Sequence, residues 1–445
     1  MMKSRIIIRA ALVTSLLLAL TALPAQAKAV SLDLDDFPDS ADLRASLYAE
    51  SLAGPRDAVL SRKPAVYTNA YGSFRLSAIK SGDAFYLILA PGSGGSYPIA
   101  TQGSWVVKRS LADGRFLQAK VFLRSDAGTF LRIYPSGDRS RMDVVLYGAV
   151  LNREVALPAA FEQVLTSSLQ DIRAWSSASV DWGLFSPKAE DYDGLCSFES
   201  ALRARLHGLR YADDGGLDAD GKPVFIATGL PQSGKAGLNC SGFAQWVVDG
   251  LLSPLGATLP DSGSLSQKHP ELRGASVDRA IDARYDPFFG LDWTRNLGLA
   301  AAAALDPGHR HSLTENDVSI SPFALTSASH DLINGGLPYE AFPAYDVDSG
   351  YPMRGLKATL YILAVREPGS AYLASISRIG PSGLRRHYHV ALLLPRFDES
   401  GNFKVEVFES AAETSLDALL ARAPNDYVHL VRLSVSPDFD PPAIP

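Results

Sequence analysis

Leu238-Asn239-Cys240-Ser241-Gly242-Phe243-Ala244-Gln245-Trp246-Val247-Val248-Asp249-Gly250 is the stretch on which the reading of the chain turns. Asn239 is a favoured N-cap, so the pattern predicts a helix over 239–252 with Cys240 in its first turn. Phe243, Val247 and Leu251 then share one buried face. Ser253-Pro254 stops the helix, because proline cannot continue the hydrogen-bond ladder. A thiol at a helix N-terminus meets the dipole and free backbone N–H groups, and both favour the thiolate. The same N–H groups can donate to the oxyanion formed when a thiolate attacks a carbonyl. At this level three readings stay open for Cys240: nucleophile, buried structural cysteine, or one half of a Cys196–Cys240 disulfide.

A nucleophile needs a base. Of the eight histidines, His387 and His389 stand apart because they open an apolar strand, HYHVALLLP at 387–395. Residues two apart on a strand point to the same face. The turn at 397–401 and the renewed alternation over 402–409 predict a hairpin. Pairing Leu394 with Lys404 then sets His389 directly opposite Glu409, close enough for a carboxylate to orient an imidazole.

Thiol on a helix, histidine and acid on neighbouring strands: this order resembles the NlpC-type cell-wall cysteine peptidases, within the papain-like thiol hydrolases. NCSGFAQWV at 239–247 is similar to that family's Asp-Cys-Ser-Gly-Leu/Phe-Val-Gln box, and HVALLL at 389–394 to its His-Val-Gly-Ile-Tyr-Leu strand. PGSAYL at 368–373 is similar to its Pro-Gly-Asp-Leu-Val-Phe strand, and Phe408-Glu409-Ser410-Ala411 falls where it has its third polar residue. The resemblance implies an α+β fold with a helix-borne cysteine packed on an antiparallel sheet. It implies Cys240 as nucleophile, His389 as general base and acid, Glu409 as orienter, and no cofactor. Tyr211, Ser241 and His387 would be substrate contacts. The substrate implied is an amide bond in peptidoglycan stem peptides, such as the D-γ-glutamyl–diaminopimelate bond. Asn239, Ala391, Ser370 and Glu409 depart from the family's usual Asp, Gly, Asp and His. The span from Cys240 to His389 is longer than usual, so an insertion is expected over about 255–365.

The rest of the chain gives this unit its surroundings. Lys3, Arg5 and Arg9, an apolar run over 10–23 and Ala25-Gln26-Ala27 predict a cleavable signal peptide over 1–27, with cleavage after Ala29 as the alternative. The run is shorter than the ~20 residues of a membrane span, so a soluble periplasmic or extracellular protein with no integral anchor is expected. A leader with a short helix is expected over 28–64, an all-β sandwich or barrel over 65–157 from six short strands, and a helical connector over 158–190. The catalytic unit would run over 191–437, followed by a short tail. Charged residues make up 20% of the chain and the net charge is −6, giving no electrostatic reason to expect nucleic acid as partner. Two cysteines cannot form a disulfide framework or a four-thiolate zinc site.

Rival chemistries are a zinc chelate of His387 and His389 with Cys240 or Glu409, and a calcium loop at 218–221, where a plain turn fits better. A rival class is a non-catalytic envelope protein with a dead cysteine; another is a thiol acyltransferase or lipid amidase.

Overall fold

The computed structural model describes residues 34–269, 286–320, 345–346, 349–380, 383–399 and 401–444. The expected signal peptide and its cleavage site lie outside them. Alternating apolar residues between tight turns build the first sheet. Its strands are β1 (Ala65–Asn69), β2 (Gly72–Ser81), β3 (Ala84–Pro91), β4 (Trp105–Ser110), β5 (Phe116–Phe122), β6 (Phe130–Ser136), β7 (Arg139–Leu146) and β8 (Ala149–Leu157). They pair in sequence order, each antiparallel to the next, with β1 and β8 as edges. The unit is therefore one meander of eight strands, neither a two-sheet sandwich nor a closed barrel. Eight strands stand where six were expected, and β7 and β8 are parted by Tyr147 and Gly148, with φ of 47° and 82°. Two left-handed residues in succession make a tight hairpin turn.

The inner face of this sheet (Phe74, Phe85, Leu87, Trp105, Val121, Ile133, Val144) forms one core with the helices flanking it in sequence. These are α1 (Ala41–Ser46), α2 (Arg56–Leu60), α3 (Phe161–Thr166) and α4 (Leu169–Ser176). Val59, Phe161, Val164, Leu165 and Ile172 join the same core, so the segments read as leader and connector are parts of the β unit. Arg44 ties them together. Its guanidinium is fully buried, donates to the Leu165 and Ser167 carbonyls at 2.7 and 2.9 Å, pairs with Asp39 at 2.9 Å and stacks 3.5 Å over the Trp105 ring. Burial lowers its pKa to about 10, so it stays charged at neutral pH.

The second unit is α+β. In chain order it contains α5 (Asp193–Arg205), β9 (Gly215–Leu217), β10 (Pro223–Phe225), α6 (Cys240–Leu252), α7 (Ser262–Leu265), α8 (Phe289–Leu305), α9 (Glu315–Val318), β11 (Tyr351–Pro352) and α10 (Leu356–Arg366). β12 (Ser370–Ile379), β13 (Arg385–Phe397), β14 (Phe403–Glu409), β15 (Ala412–Ser415), α11 (Leu416–Arg422) and β16 (Tyr427–Ser434) complete it. The six-stranded sheet runs β11-β16-β12-β13-β14-β15 and is antiparallel throughout. On one face Leu373, Val390, Leu392 and Phe408 pack with α5, α6 and α8; on the other Tyr372, Ala374, Ala391 and Leu393 pack with α10 and α11. The result is a helix–sheet–helix sandwich.

The segment expected as an insertion contains a core element. α10 is buried on both sides: Leu356, Leu360 and Leu363 face the six-stranded sheet, while Ala358, Tyr361 and Ile362 enter the core of the eight-stranded one. Tyr361 meets Tyr147 of the β7–β8 turn and Phe403 of β14, at 5.8 and 5.2 Å between ring centroids. One helix therefore joins the two cores.

α6 is buried along nearly its whole length. Phe439 of the C-terminal segment packs edge-on against Trp246 and Phe198, and Trp246 Nε1 donates to the Pro442 carbonyl at 2.9 Å. The same helix holds a carboxyl with no hydrogen-bond partner. Asp249 is fully buried, and burial raises its pKa from 3.8 to about 8. Folding therefore favours the protonated form. Stability is greatest below the unfolded pKa, falls as pH rises through the interval between the two values and levels off above the folded one. Replacing Asp249 by Asn removes this slope. Thermal unfolding of Asp249→Asn and wild type across that interval is expected to show a gap in favour of the variant that widens with pH, to on the order of 6 kcal/mol.

Candidate active site

The site begins with a helix start that is fixed in place. Asn239 is extended, and its Oδ1 accepts from the Gly242 N–H at 2.8 Å, so the expected N-cap is formed. Its backbone N–H donates to the Gly215 carbonyl at 3.0 Å. Gly242 presses against β9 so closely that a Cβ there would stand 2.0 Å from the Gly215 oxygen. Gln245, one turn on, accepts from the Leu217 N–H and donates to the Leu217 and Pro260 carbonyls, at 3.1, 3.0 and 2.9 Å. Cys240 is thereby held at the first position of α6, half-buried and open to solvent on one side.

Opposite it, His389 Nε2 meets Glu409 Oε1 at 2.7 Å, and the imidazole interacts with the Cys240 thiol as well. Burial works against ionising Cys240. Contact with His389, the Val390 N–H and the Ser241 hydroxyl outweighs it, so the thiol's pKa lies below its ordinary value. Burial likewise opposes a charge on His389, but hydrogen bonds to Cys240 and Glu409 push its pKa up. Glu409 is held below the usual carboxylate range, against its own burial, by His389 and Arg422. The arrangement favours a thiolate–imidazolium pair over the neutral one, the state needed for nucleophilic attack.

The ladder differs from the expected register by two residues. Leu392 pairs with Phe408 and Leu394 with Glu406, so Glu409 stands opposite Ala391 rather than His389. A two-residue slip keeps every side chain on its face, and Glu409 reaches His389 diagonally. The strand ends there: Ser410 and Ala411, with φ of 45° and 72°, turn the chain into β15.

The two histidines do not share a face. At the bulge in β12–β13, Ile376 pairs with His389 and Ser377 with His387, leaving Tyr388 extra. A bulged residue reverses the alternation. His387 is buried on the α8 side, where its Nδ1 meets Ser375 Oγ at 2.9 Å and its ring packs 5.8 Å from Phe288. It is therefore buried rather than open to solvent as a substrate contact would be expected to be, and it lies on the other face from His389, so the two do not form a zinc chelate. Among the described residues no group of three or more His, Cys, Asp or Glu is arranged to hold a metal. Asp218 forms a plain turn, its Oδ1 accepting from the Asp220 and Lys222 N–H groups.

Tyr211 is brought to the thiol. Its backbone bridges Leu238, its ring is 62% exposed, and desolvation, Asp213 and the Cys240 charge raise its pKa. Ser241 is buried; its hydroxyl faces the Cys240 sulfur and its carbonyl accepts from Trp293 Nε1 at 2.9 Å, a supporting position rather than a substrate-facing one. Cys196 and Cys240 are both free thiols, which removes the disulfide reading. Sequence reasoning missed Arg422, whose Nη2 donates to the second Glu409 oxygen from the last turn of α11. No periodicity links those two positions.

Residues 33–184 match a domain family of unknown function (DUF8515), which spans the eight-stranded unit and its flanking helices. No curated protein and no solved structure gives a significant match.

Ultraviolet titration of the thiolate in a Cys196→Ser background is expected to give Cys240 a pKa below 9, the ordinary value. His389→Ala is expected to raise it by at least ~1 unit and to slow alkylation at neutral pH about tenfold. Arg422→Gln removes a cation beside Glu409 and leaves the carboxylate's pull to His389 alone. The imidazolium is then expected to titrate at higher pH than in wild type, read from its NMR chemical shifts.

Proposed function

We propose that the chain is an exported cysteine peptidase or amidase of the NlpC type, with a papain-like catalytic unit, acting on amide bonds in peptidoglycan stem peptides. The observation that carries this reading is His389 held by Glu409 at 2.7 Å and coupled electrostatically to Cys240, which lies at the start of a buried helix. The motif resemblance at 239–247 and 389–394 supplies the substrate class. The basic, apolar and small-residue order of residues 3–27 supports export. No helix among the described residues is long and apolar enough to cross a membrane.

The chemistry follows from the geometry. Cys240 thiolate attacks the amide carbonyl, and the N–H groups of Cys240 and Ser241, which precede the Gly242 N–H taken by the Asn239 cap, donate to the oxyanion. His389 imidazolium gives its proton to the departing amine nitrogen as the C–N bond breaks, leaving a thioester and a neutral imidazole. That imidazole takes a proton from water, the hydroxide attacks the thioester carbonyl, and the C–S bond breaks to return the thiolate. Glu409 holds the ring beside the sulfur throughout. Acylation runs between the lowered pKa of Cys240 and the raised pKa of His389: below the first the thiol is protonated, above the second the leaving amine has no donor.

The test is hydrolysis of purified muropeptides followed by mass spectrometry. Wild type is expected to release products of amide cleavage with a bell-shaped pH profile, and Cys240→Ala to lose at least ~10³-fold in rate. Glu409→Gln is expected to retain the product pattern at a rate about 10–100-fold lower. Identical profiles for wild type and Cys240→Ala would remove the reading. Cleavage of acyl esters with no muropeptide product would move the chain to the acyltransferases.

A further inference from the structure

The outer face of the eight-stranded sheet carries a charge pattern unlike that of the whole chain. With Phe74, Leu87, Val107, Val121, Ile133 and Met142 turned inward, strands β2–β7 present Arg75, Lys108, Lys120, Arg132 and Arg141 outward. The one carboxylate on the same face of those strands is Asp143, in a chain whose net charge is −6. Register sets the positions: Lys108 stands between Tyr86 and Gln118, and Lys120 between Val106 and Arg132. Lys108, Lys120 and Arg132 therefore step across three adjacent strands, with neighbours roughly 5–8 Å apart at the backbone.

Like charges placed directly across a ladder repel, and Lys120 opposite Arg132 is such a pair. Asp143 answers Arg132 through its Oδ2 but does not reach the lysines. Among the described residues neither Lys108 nor Lys120 meets a carboxylate. Each instead lies over an aromatic ring: Lys108 Nζ is 5.9 Å from the Tyr86 centroid and Lys120 Nζ is 3.9 Å from that of Phe130. Arg75 lies 5.1 Å from the Tyr97 centroid in the same manner. Tyr86, Phe130, Lys108 and Lys120 are all partly exposed.

We propose that this stripe of cations and aromatic rings is a docking surface for a carboxylate-bearing glycopeptide polymer. The proposal rests on the reading of Cys240 as a cell-wall hydrolase, since stem peptides put free carboxylates beside sugar rings. The Tyr86 and Phe130 rings hold the ammonium groups of Lys108 and Lys120 in place, and those groups, which meet no carboxylate among the described residues, take the polymer's carboxylates one at a time. The stripe lies in the unit that carries no part of the Cys240 site, so it holds the polymer without entering the reaction.

Full-length Cys240→Ser protein, which binds without turnover, is sedimented with purified peptidoglycan sacculi and compared with the same protein carrying Lys108→Glu and Lys120→Glu. Binding is expected to fall about tenfold with the charge reversal, and by a similar factor with sacculi whose carboxylates have been chemically amidated. It is expected to weaken with salt. The double variant with Cys240 intact is expected to cleave soluble muropeptides at the wild-type rate. A Lys108→Gln and Lys120→Gln pair, with unfolding temperature measured, guards against misfolding. Unchanged binding after charge reversal or amidation overturns the proposal. So does charge-dependent binding confined to a phosphate polymer or anionic vesicles. Loss of muropeptide cleavage by wild type alongside intact, charge-dependent binding would remove the enzymatic reading and leave the surface standing.

Discussion

The thiol depends on a contact between two stretches of backbone with no side chain between them. The first turn of α6 lies against β9, and β9 in turn against the residues just before α6: a Cβ on Gly215 would stand 2.0 Å from the Gly237 oxygen, as one on Gly242 would from Gly215's own. Any other residue at these positions forces the strand and helix apart. Their closeness lets Asn239 cap the helix while its N–H reaches β9, and lets Gln245 satisfy both polar groups of Leu217. The helix start is thus over-determined by hydrogen bonds, and the sulfur is presented to β13 beside Val390, close to where β14 ends at Glu409. A thiol two or three ångströms away would keep its dipole environment and lose its histidine.

Legibility from sequence followed the locality of each feature. The N-cap at Asn239, the apolar strand carrying His389 and the strand ending with Glu409 are short-range patterns, and all three are present, the second starting at Arg385, two residues before the expected His387. The hairpin register differs by two because Phe397 and Phe403 close the turn, which keeps its five residues but lies one position later, at 398–402 rather than 397–401. An even slip preserves faces, so the His389–Glu409 contact survived an incorrect ladder. The bulge at Tyr388 is an odd slip, and it sent His387 to the opposite side of the sheet. Nothing in the run HYHV marks it. α10 escaped for a different reason: a helix buried between two cores has no polar face, so its eleven residues show no amphipathic period.

The charges at the site alternate from inside to outside: Cys240 thiolate, His389 imidazolium, Glu409 carboxylate, Arg422 guanidinium. A carboxylate only 9% exposed and paired with a single histidine would be costly, and it would hold the imidazolium proton tightly. Arg422 is 57% exposed and takes the second oxygen, which lets a glutamate occupy the orienting position without capturing the proton.

This division of Glu409 between two cations bears on how the site would change once the sulfur is acylated. Two groups hold His389 in its charged form, the thiolate and Glu409. In the proposed reaction, attack on the carbonyl would remove the first, so the imidazole's pKa would fall as its proton is needed by the departing amine. What would remain is Glu409, its negative charge shared with Arg422, a weaker hold on the proton than the two anions together. Under the proposed mechanism the same histidine would serve as acid and afterwards as base with no movement of its partners, because the charge that decides its protonation would be the one the reaction consumes.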